Sequence, residues 1–147
     1  MAESFEFHAG VEWRGEKLCE TFVGKENENR GIMSPAPEFK GMEGTWNPED
    51  MVCAALASCN LFTFLSFVRK NEIHLVRFQN HVTGFLTKGK DGFSFTKFII
   101  SLDITVEEGH KEKAIEAVHL SERFCLVSNS LSGEKELKFE VREEPVT

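Results

Sequence analysis

Two cysteines are the residues of this sequence best suited to chemistry. Cys59 ends the apolar run of residues 54–59, and Cys125 lies in the mixed run of residues 124–131. A cysteine attacks an electrophile only as the thiolate, and a free thiol titrates near pH ~8.5. Burial as a small apolar side chain is the commoner fate of a free cysteine. From the residues alone, a reactive thiol and a buried structural cysteine both remain open.

Other catalytic or ligand-binding patterns are missing from the sequence. No two cysteines form a CxxC pair, and no histidine stands at short ligand spacing from a cysteine, so a zinc site is not predicted. Motifs for phosphates, dinucleotides and serine hydrolases are also absent. We therefore expect no metal and no cofactor, and structural roles for Cys19 and Cys53. Ordinary surface or core positions are expected for the five histidines, His8, His74, His81, His110 and His119.

Composition indicates one soluble domain. The 147 residues suffice for a single core, and the net charge of -7 argues against nucleic acid as a partner. Residues 1–7 have neither a basic nor an apolar run, so no signal peptide is expected. Four cysteines in such a chain are typical of reduced thiols. We expect a cytoplasmic protein with a single domain over residues 1–147.

Alternating apolar residues predict strands over residues 5–13 and 18–23, joined as a hairpin. The polar residues 24–30 predict a loop, and the prolines and glycines of residues 34–46 predict an irregular, extended connection.

A long helix should follow, from Asn47 and Pro48 to Lys70. Asn is a good N-cap, Pro suits the first helical position, and the acids Glu49 and Asp50 favour the positive end of the dipole. Residues 51–68 are 18 consecutive residues without a charge, and this length is the lower limit for a membrane span. Small and polar residues within this stretch favour a buried core helix over a span.

The second half of the chain predicts a hairpin, a helix and a strand. Residues 74–87 and 92–106 are rich in β-branched and aromatic side chains, with a glycine-rich turn between them. Residues 112–124 have helical periodicity, and residues 135–142 alternate as a last strand. The order of elements is that of an α+β fold.

Three segments carry a resemblance to a known family: residues 47–50 (Asn-Pro-Glu-Asp), 55–59 (Ala-Leu-Ala-Ser-Cys) and 124–128 (Phe-Cys-Leu-Val-Ser). Together they resemble the OsmC/Ohr family of thiol-dependent peroxidases and their relatives. The resemblance implies antiparallel sheets wrapped around long central helices in an intertwined homodimer. It also implies reduction of organic hydroperoxides in the oxidative stress response, with an external dithiol as reductant.

The resemblance also implies roles for single residues. Cys59 would be the peroxidatic thiol, Cys125 would resolve its sulfenic acid as a disulfide, and Glu49 would support the site. The family uses an Arg beside the thiolate, and Arg14 is our candidate, with Arg30 as the second. Either arginine can equally be a surface charge. Without an activating Arg, the protein would be a non-peroxidase relative that binds an apolar ligand or a redox partner. A cysteine hydrolase is a weaker alternative, because it needs a positioned histidine.

Helical geometry adds an expectation about assembly. Ten residues separate Glu49 from Cys59, which is ~15 Å along one straight helix. An antiparallel helix pair around Ala54 and Ala55 would bring Glu49 of one chain beside Cys59 of the other. The apolar side chains near the two thiols should be partly core and partly a wall for hydrocarbon tails: Met51, Leu56, Phe62, Phe64, Phe124, Leu126 and Leu131.

Overall fold

Three short strands, a long helix, a hairpin, two helices and a last strand follow one another in the computed structural model, which describes residues 3–146. The α+β order expected from the sequence is confirmed. The chain divides between Met51 and Val52 into two compact units. Whether they behave as one domain stays a prediction.

The N-terminal unit contains an antiparallel sheet of β1 (Ala9–Trp13), β2 (Cys19–Val23) and β3 (Glu28–Met33). The predicted hairpin is present, although β1 begins only at Ala9. The predicted loop over residues 24–30 is confirmed for residues 24–27 and wrong for residues 28–30, because β3 begins at Glu28. β3 lies at a sheet edge, and most of its residues are exposed to solvent. Because neither face is buried along most of the strand, its sequence does not alternate between apolar and polar residues, and the strand was not recognised.

Residues 34–46 form the irregular connection that the sequence predicts, with one 3₁₀ turn at Pro37–Phe39. Ser34 connects both parts of this segment. Its Oγ accepts from the amide of Met42 over 3.0 Å, and its own amide donates to the carbonyl of Trp46 over 3.0 Å. Gly41 passes so close that a Cβ there would lie 1.5 Å from the Pro35 oxygen. The segment therefore requires glycine at position 41.

Helix α1 runs unbroken from Pro48 to Lys70, as predicted. Asn47 caps it: its Oδ1 accepts from the amide of Asp50 over 2.7 Å, and its Nδ2 donates to Asp50 Oδ2 over 2.9 Å. Arg69 and Lys70 lie in the last turn, where cations favour the negative end of the dipole. The helix is also long and apolar enough to cross a membrane, with a mean hydropathy of 1.9.

The C-terminal unit is built on a second sheet of β4 (Leu75–Gly89), β5 (Gly92–Glu107) and β6 (Glu134–Glu144). β4 and β5 form the predicted hairpin; Gly89 pairs with Gly92, which has a φ of 100° at the turn. β6 pairs with β5 in parallel. A parallel neighbour needs a crossover connection, and the helices between β5 and β6 provide it.

That crossover consists of α2 (Lys111–Phe124) and α3 (Leu126–Ser130). Cys125 separates the two helices in an extended conformation, with φ -68° and ψ 111°. The sequence predicted α2 but not α3, because a helix this short offers too few turns for periodicity to be recognised.

The core of the C-terminal unit lies between the sheet and the helices. Leu56, Asn60 and Phe64 are completely buried along one face of α1. The ring of Phe64 packs on Phe78 of β4, with centroids 5.1 Å apart. The other fully buried apolar side chains come from β5 and α2: Phe98, Ile100, Ile104, Val106, Ala114 and Val118. This packing fixes which face of α1 turns away from the sheet.

Candidate active site

Cys59 lies midway along α1, beside the buried face formed by Leu56, Asn60 and Phe64. Its side chain is half-buried, and the Oγ1 of Thr63 donates to its backbone carbonyl over 2.8 Å. The rigid helix therefore holds the sulfur at the margin of the core, where one side remains open to solvent.

Cys125 lies at the break between α2 and α3 and is completely buried. Its thiol lies close enough to the thiol of Cys59 for the two groups to interact and for Cys59 to raise the pKa of Cys125. The fold thus brings together the two cysteines that the resemblance singled out, one on α1 and the other between α2 and α3. Cys19 and Cys53, like these two, form no disulfide within residues 3–146.

The surroundings of Cys125 disfavour its thiolate. Burial, the neighbouring Cys59 thiol and the carboxylate of Glu122 raise the pKa of Cys125 to about 11, although the backbone amide of Ser128 opposes the rise by hydrogen bonding to the sulfur. At neutral pH Cys125 is therefore a neutral thiol that must lose a proton before it can attack.

Glu122 is a site residue that the sequence analysis missed. Ser128 Oγ donates to its Oε1 over 2.7 Å, while Oε2 is buried and without a hydrogen-bond partner among residues 3–146. Ser128 thus connects the carboxylate to Cys125, through its hydroxyl on one side and its amide on the other. No signal in the sequence identified it, because the break between α2 and α3 at Cys125, which sets the positions of Glu122 and Ser128, was not predicted.

An open groove of about 570 Å³ begins at Cys59, and we call it the thiol groove. Its other lining residues come from α1 and α3: Ala55, Ser58, Phe62, Thr63, Ser66, Leu126 and Val127. The side chains of Phe62 and Leu126 are 67% and 69% exposed, so they form a wall rather than core.

Five of the seven apolar side chains named from the sequence belong to the core or to the groove wall, while Met51 and Phe124 are exposed and belong to neither. Leu56 and Phe64 are buried in the core, and Leu131 packs against it. Phe62 and Leu126 line the groove. Phe124 is exposed at the end of α2, where its ring lies 6.2 Å from that of Phe67.

The charged candidates belong to the N-terminal unit. Arg14 Nη1 donates to Glu12 over 2.7 Å and its Nε to Glu20 over 3.3 Å. Arg30 also binds Glu20 and lies over the ring of Phe22. Hydrogen bonds from Arg30 and then Arg14 hold the pKa of Glu20 below its usual value.

Glu49 is half-buried in the first turn of α1, and within residues 3–146 it forms no ion pair. The roles of Glu49, Arg14 and Arg30 beside Cys59 stay predictions.

Comparisons with known proteins agree on one family. A family model described as OsmC-like protein matches residues 41–140. Protein YmaD of Bacillus subtilis, which is described as uncharacterized, is 22% identical over 138 residues, or 91% of each chain. The structure of an OsmC-like protein of unknown function from Vibrio cholerae has a TM-score of 0.83 at 20% identity, covering 93% of this chain and 100% of that one. An organic hydroperoxide resistance protein from Elizabethkingia anophelis has a TM-score of 0.73 at 15% identity, covering 98% and 100%.

Proposed function

Because the chain belongs to the OsmC-like protein family, we propose that it is a thiol peroxidase that reduces organic hydroperoxides through Cys59 and Cys125. The family and its structural neighbours named for organic hydroperoxide resistance support a peroxide-related role. The observation that carries the specific proposal is the contact between the two thiols at the thiol groove.

The first step takes place at Cys59. Its thiolate attacks the outer oxygen of the hydroperoxide; an S–O bond forms and the O–O bond breaks. The alkoxide takes a proton from water and leaves as an alcohol, which balances the proton lost when Cys59 ionised, and Cys59 becomes a sulfenic acid. The sulfur is oxidised by two electrons, and the peroxide is reduced by the same two. Phe62 and Leu126 favour a hydroperoxide with an apolar tail in the groove.

The second step takes place at Cys125. Its sulfur attacks the sulfur of Cys59, the S–S bond forms, and hydroxide leaves the sulfenic acid as water. The Cys125 proton needs an acceptor, since its raised pKa keeps the thiol neutral at neutral pH. Glu122 supplies a buried carboxylate oxygen that has no hydrogen-bond partner within the described residues, and Ser128 holds the carboxylate in place. Glu122 takes the thiol proton and passes it to the leaving hydroxide.

The cycle closes when an external dithiol reduces the Cys59–Cys125 disulfide by thiol–disulfide exchange. In this proposal Arg14, with Arg30 as the alternative, stabilises the Cys59 thiolate, and Glu49 orients that arginine. We also propose that α1 packs within the protein and does not cross a membrane, because Leu56, Asn60 and Phe64 are completely buried along one of its faces. A dithiol reductant fits the reducing cytoplasm, which we propose as the location.

A homodimer would supply Glu49 to the site. Because α1 is continuous, Glu49 and Cys59 of one chain are separated by ~15 Å along the axis. The face of α1 that leaves the core carries exposed small and apolar residues, Ala55, Ser58 and Phe62 among them. A second copy of α1, packed antiparallel on this face, would place its Glu49 near Cys59.

Intact mass spectrometry tests the proposal. The reduced protein receives one equivalent of cumene hydroperoxide without reductant, and we expect a loss of two hydrogens and one Cys59–Cys125 peptide pair. The Cys59→Ser variant is the matched control, because it keeps Cys19, Cys53 and Cys125. An unchanged wild-type mass would contradict peroxidase activity. It would favour the second candidate, an OsmC-like protein that binds an apolar ligand in the open groove without turnover.

A further inference from the structure

Three potential metal ligands meet at one end of the second sheet, outside the peroxidase site. His74 directly precedes β4, Glu107 is the last residue of β5, and His110 is the N-cap of α2. The amide of Glu107 donates to the carbonyl of His74 over 3.0 Å, and the amide of His110 donates to that of Glu107 over 3.2 Å. Gly109, at φ 94°, makes the tight turn that returns His110 towards Glu107.

The three side chains converge as closely as their backbones do. His74 Nδ1 lies 2.7 Å from Glu107 Oε2, and the rings of His74 and His110 stack with centroids 4.8 Å apart. One ligand atom from each residue lies within 4.8 Å of the other two. The Nδ1 of His110 is buried and has no hydrogen-bond partner in the described chain. A buried nitrogen without a partner costs free energy unless something binds it.

From this convergence we propose that His74, Glu107 and His110 form a binding site for a divalent transition metal ion of the Zn²⁺ class. Two imidazoles and one carboxylate are a donor set suited to Zn²⁺, and a water molecule would complete a tetrahedron. Magnesium and calcium prefer oxygen ligands, and this set offers only one oxygen donor residue.

The geometry requires only small side-chain movements. Zinc at ~2.0–2.2 Å from each donor in a tetrahedron separates the donor atoms by ~3.4 Å. The His74–Glu107 contact of 2.7 Å would open slightly, and the wider separations, all within 4.8 Å, would close. The His74 side chain is 62% exposed and free to adjust. Nearby Glu143, whose Oε2 accepts from the amide of Gly109 over 2.6 Å, adds negative charge that favours a cation.

The sequence analysis expected no metal, because these residues stand at no ligand spacing along the chain. His74 and Glu107 are 33 positions apart and meet only through the pairing of β4 and β5. The competing interpretation is a hydrogen-bonded His74–Glu107 pair with a stacked imidazole, which would need no ion.

Isothermal titration calorimetry with Zn²⁺ distinguishes the metal site from the hydrogen-bonded pair. The parent protein carries Cys59→Ser and Cys125→Ser, because the adjacent thiols would also bind zinc. We expect one Zn²⁺ per chain and an affinity at least ~100-fold lower after Glu107→Gln or His110→Ala. His119→Ala, which removes an exposed imidazole from α2, is the matched control and should leave the affinity unchanged.

A second measurement guards against variants that fail to fold. Glu107→Gln keeps the size of the side chain and its hydrogen-bonding oxygen, and circular dichroism establishes that each variant is folded. Zinc should raise the melting temperature of the parent and of His119→Ala, but not of Glu107→Gln. Equal zinc affinity in Glu107→Gln and the parent, or no binding to the parent, would overturn the proposal. Neither result would affect the proposed peroxidase, because the two sites share no residue.

Discussion

Replacing Glu122 by glutamine should slow the formation of the Cys59–Cys125 disulfide without slowing the first oxidation of Cys59. Glutamine keeps the shape and the oxygen that Ser128 Oγ reaches, but it cannot take up a proton. With a pKa of about 11, Cys125 is thiolate in only about one part in 10⁴ at pH 7. General-base assistance typically contributes about 10²–10⁴-fold, so we expect a loss of at least ~10²-fold at pH 7.

The pH dependence carries the sharper signature. Without the carboxylate, attack must wait for free thiolate, and the rate of disulfide formation in Glu122→Gln should rise about tenfold per pH unit from pH 7 towards the pKa of Cys125. The wild-type rate should depend far less on pH and should converge with that of the variant at high pH. Glu116→Gln, an exposed change on the same helix, is the matched control.

Quenched-flow mass spectrometry measures both steps in one experiment. Reduced protein is mixed with one equivalent of cumene hydroperoxide, quenched at intervals by thiol alkylation and analysed by intact mass. Relative to the fully alkylated protein, the sulfenic acid carries one added oxygen and one alkyl group fewer, and the disulfide carries two alkyl groups fewer. The opposite outcome has a clear meaning. The Glu122 carboxylate also raises the pKa of Cys125, so removing its charge alone would favour the thiolate. Faster disulfide formation in Glu122→Gln at pH 7 would refute the proton-acceptor role.

Four further predictions follow from the proposed cycle. Cys125→Ser should still undergo the first turnover but accumulate sulfenic acid, which excess peroxide converts to a sulfinic acid detectable by mass; a stable disulfide in this variant would contradict the pairing. Arg14→Ala should slow iodoacetamide alkylation of Cys59 near neutral pH more than Arg30→Ala does, and the reverse order would exchange their roles. Cumene hydroperoxide should oxidise Cys59 at least ~10-fold faster than hydrogen peroxide below saturation, since two or three buried methylenes contribute about 2 kcal/mol; equal stopped-flow rates would mean that the groove does not select tails. Mixed dimers of Glu49→Ala and Cys59→Ser subunits should regain activity through one intact shared site, whereas inactive mixed dimers of verified composition would rule out sharing between chains.

Local signals predicted the elements whose ends are encoded in their own residues. Asn47, Pro48 and the closing pair Arg69 and Lys70 define α1, and the observed helix has those bounds. β3 was missed because an exposed edge strand such as Glu28–Met33 need not alternate apolar and polar residues. The parallel pairing of β6 was not predicted either, since it depends on a crossover and not on the strand's own sequence.

The motifs in the sequence identified the two thiols of the candidate site, but the sequence did not predict which residues surround them. Contact between Cys59 and Cys125 depends on how α2 and α3 pack beside α1, which no local pattern encodes. Glu122 is equally hidden, because a charged residue on an amphipathic helix normally indicates a solvated face. Only the fold reveals that one of its oxygens is buried and that its charge raises the pKa of Cys125.

The division of the chain between Met51 and Val52 places both tryptophans on the same side. Both tryptophans, Trp13 and Trp46, belong to the first unit, and the chain contains no tyrosine. Intrinsic fluorescence therefore reports unfolding of residues before the division, whereas far-ultraviolet dichroism records the long strands and helices after it. Coincident denaturation curves from these two signals would establish a single cooperative domain, and separated curves would mean that the thiol-bearing unit unfolds on its own.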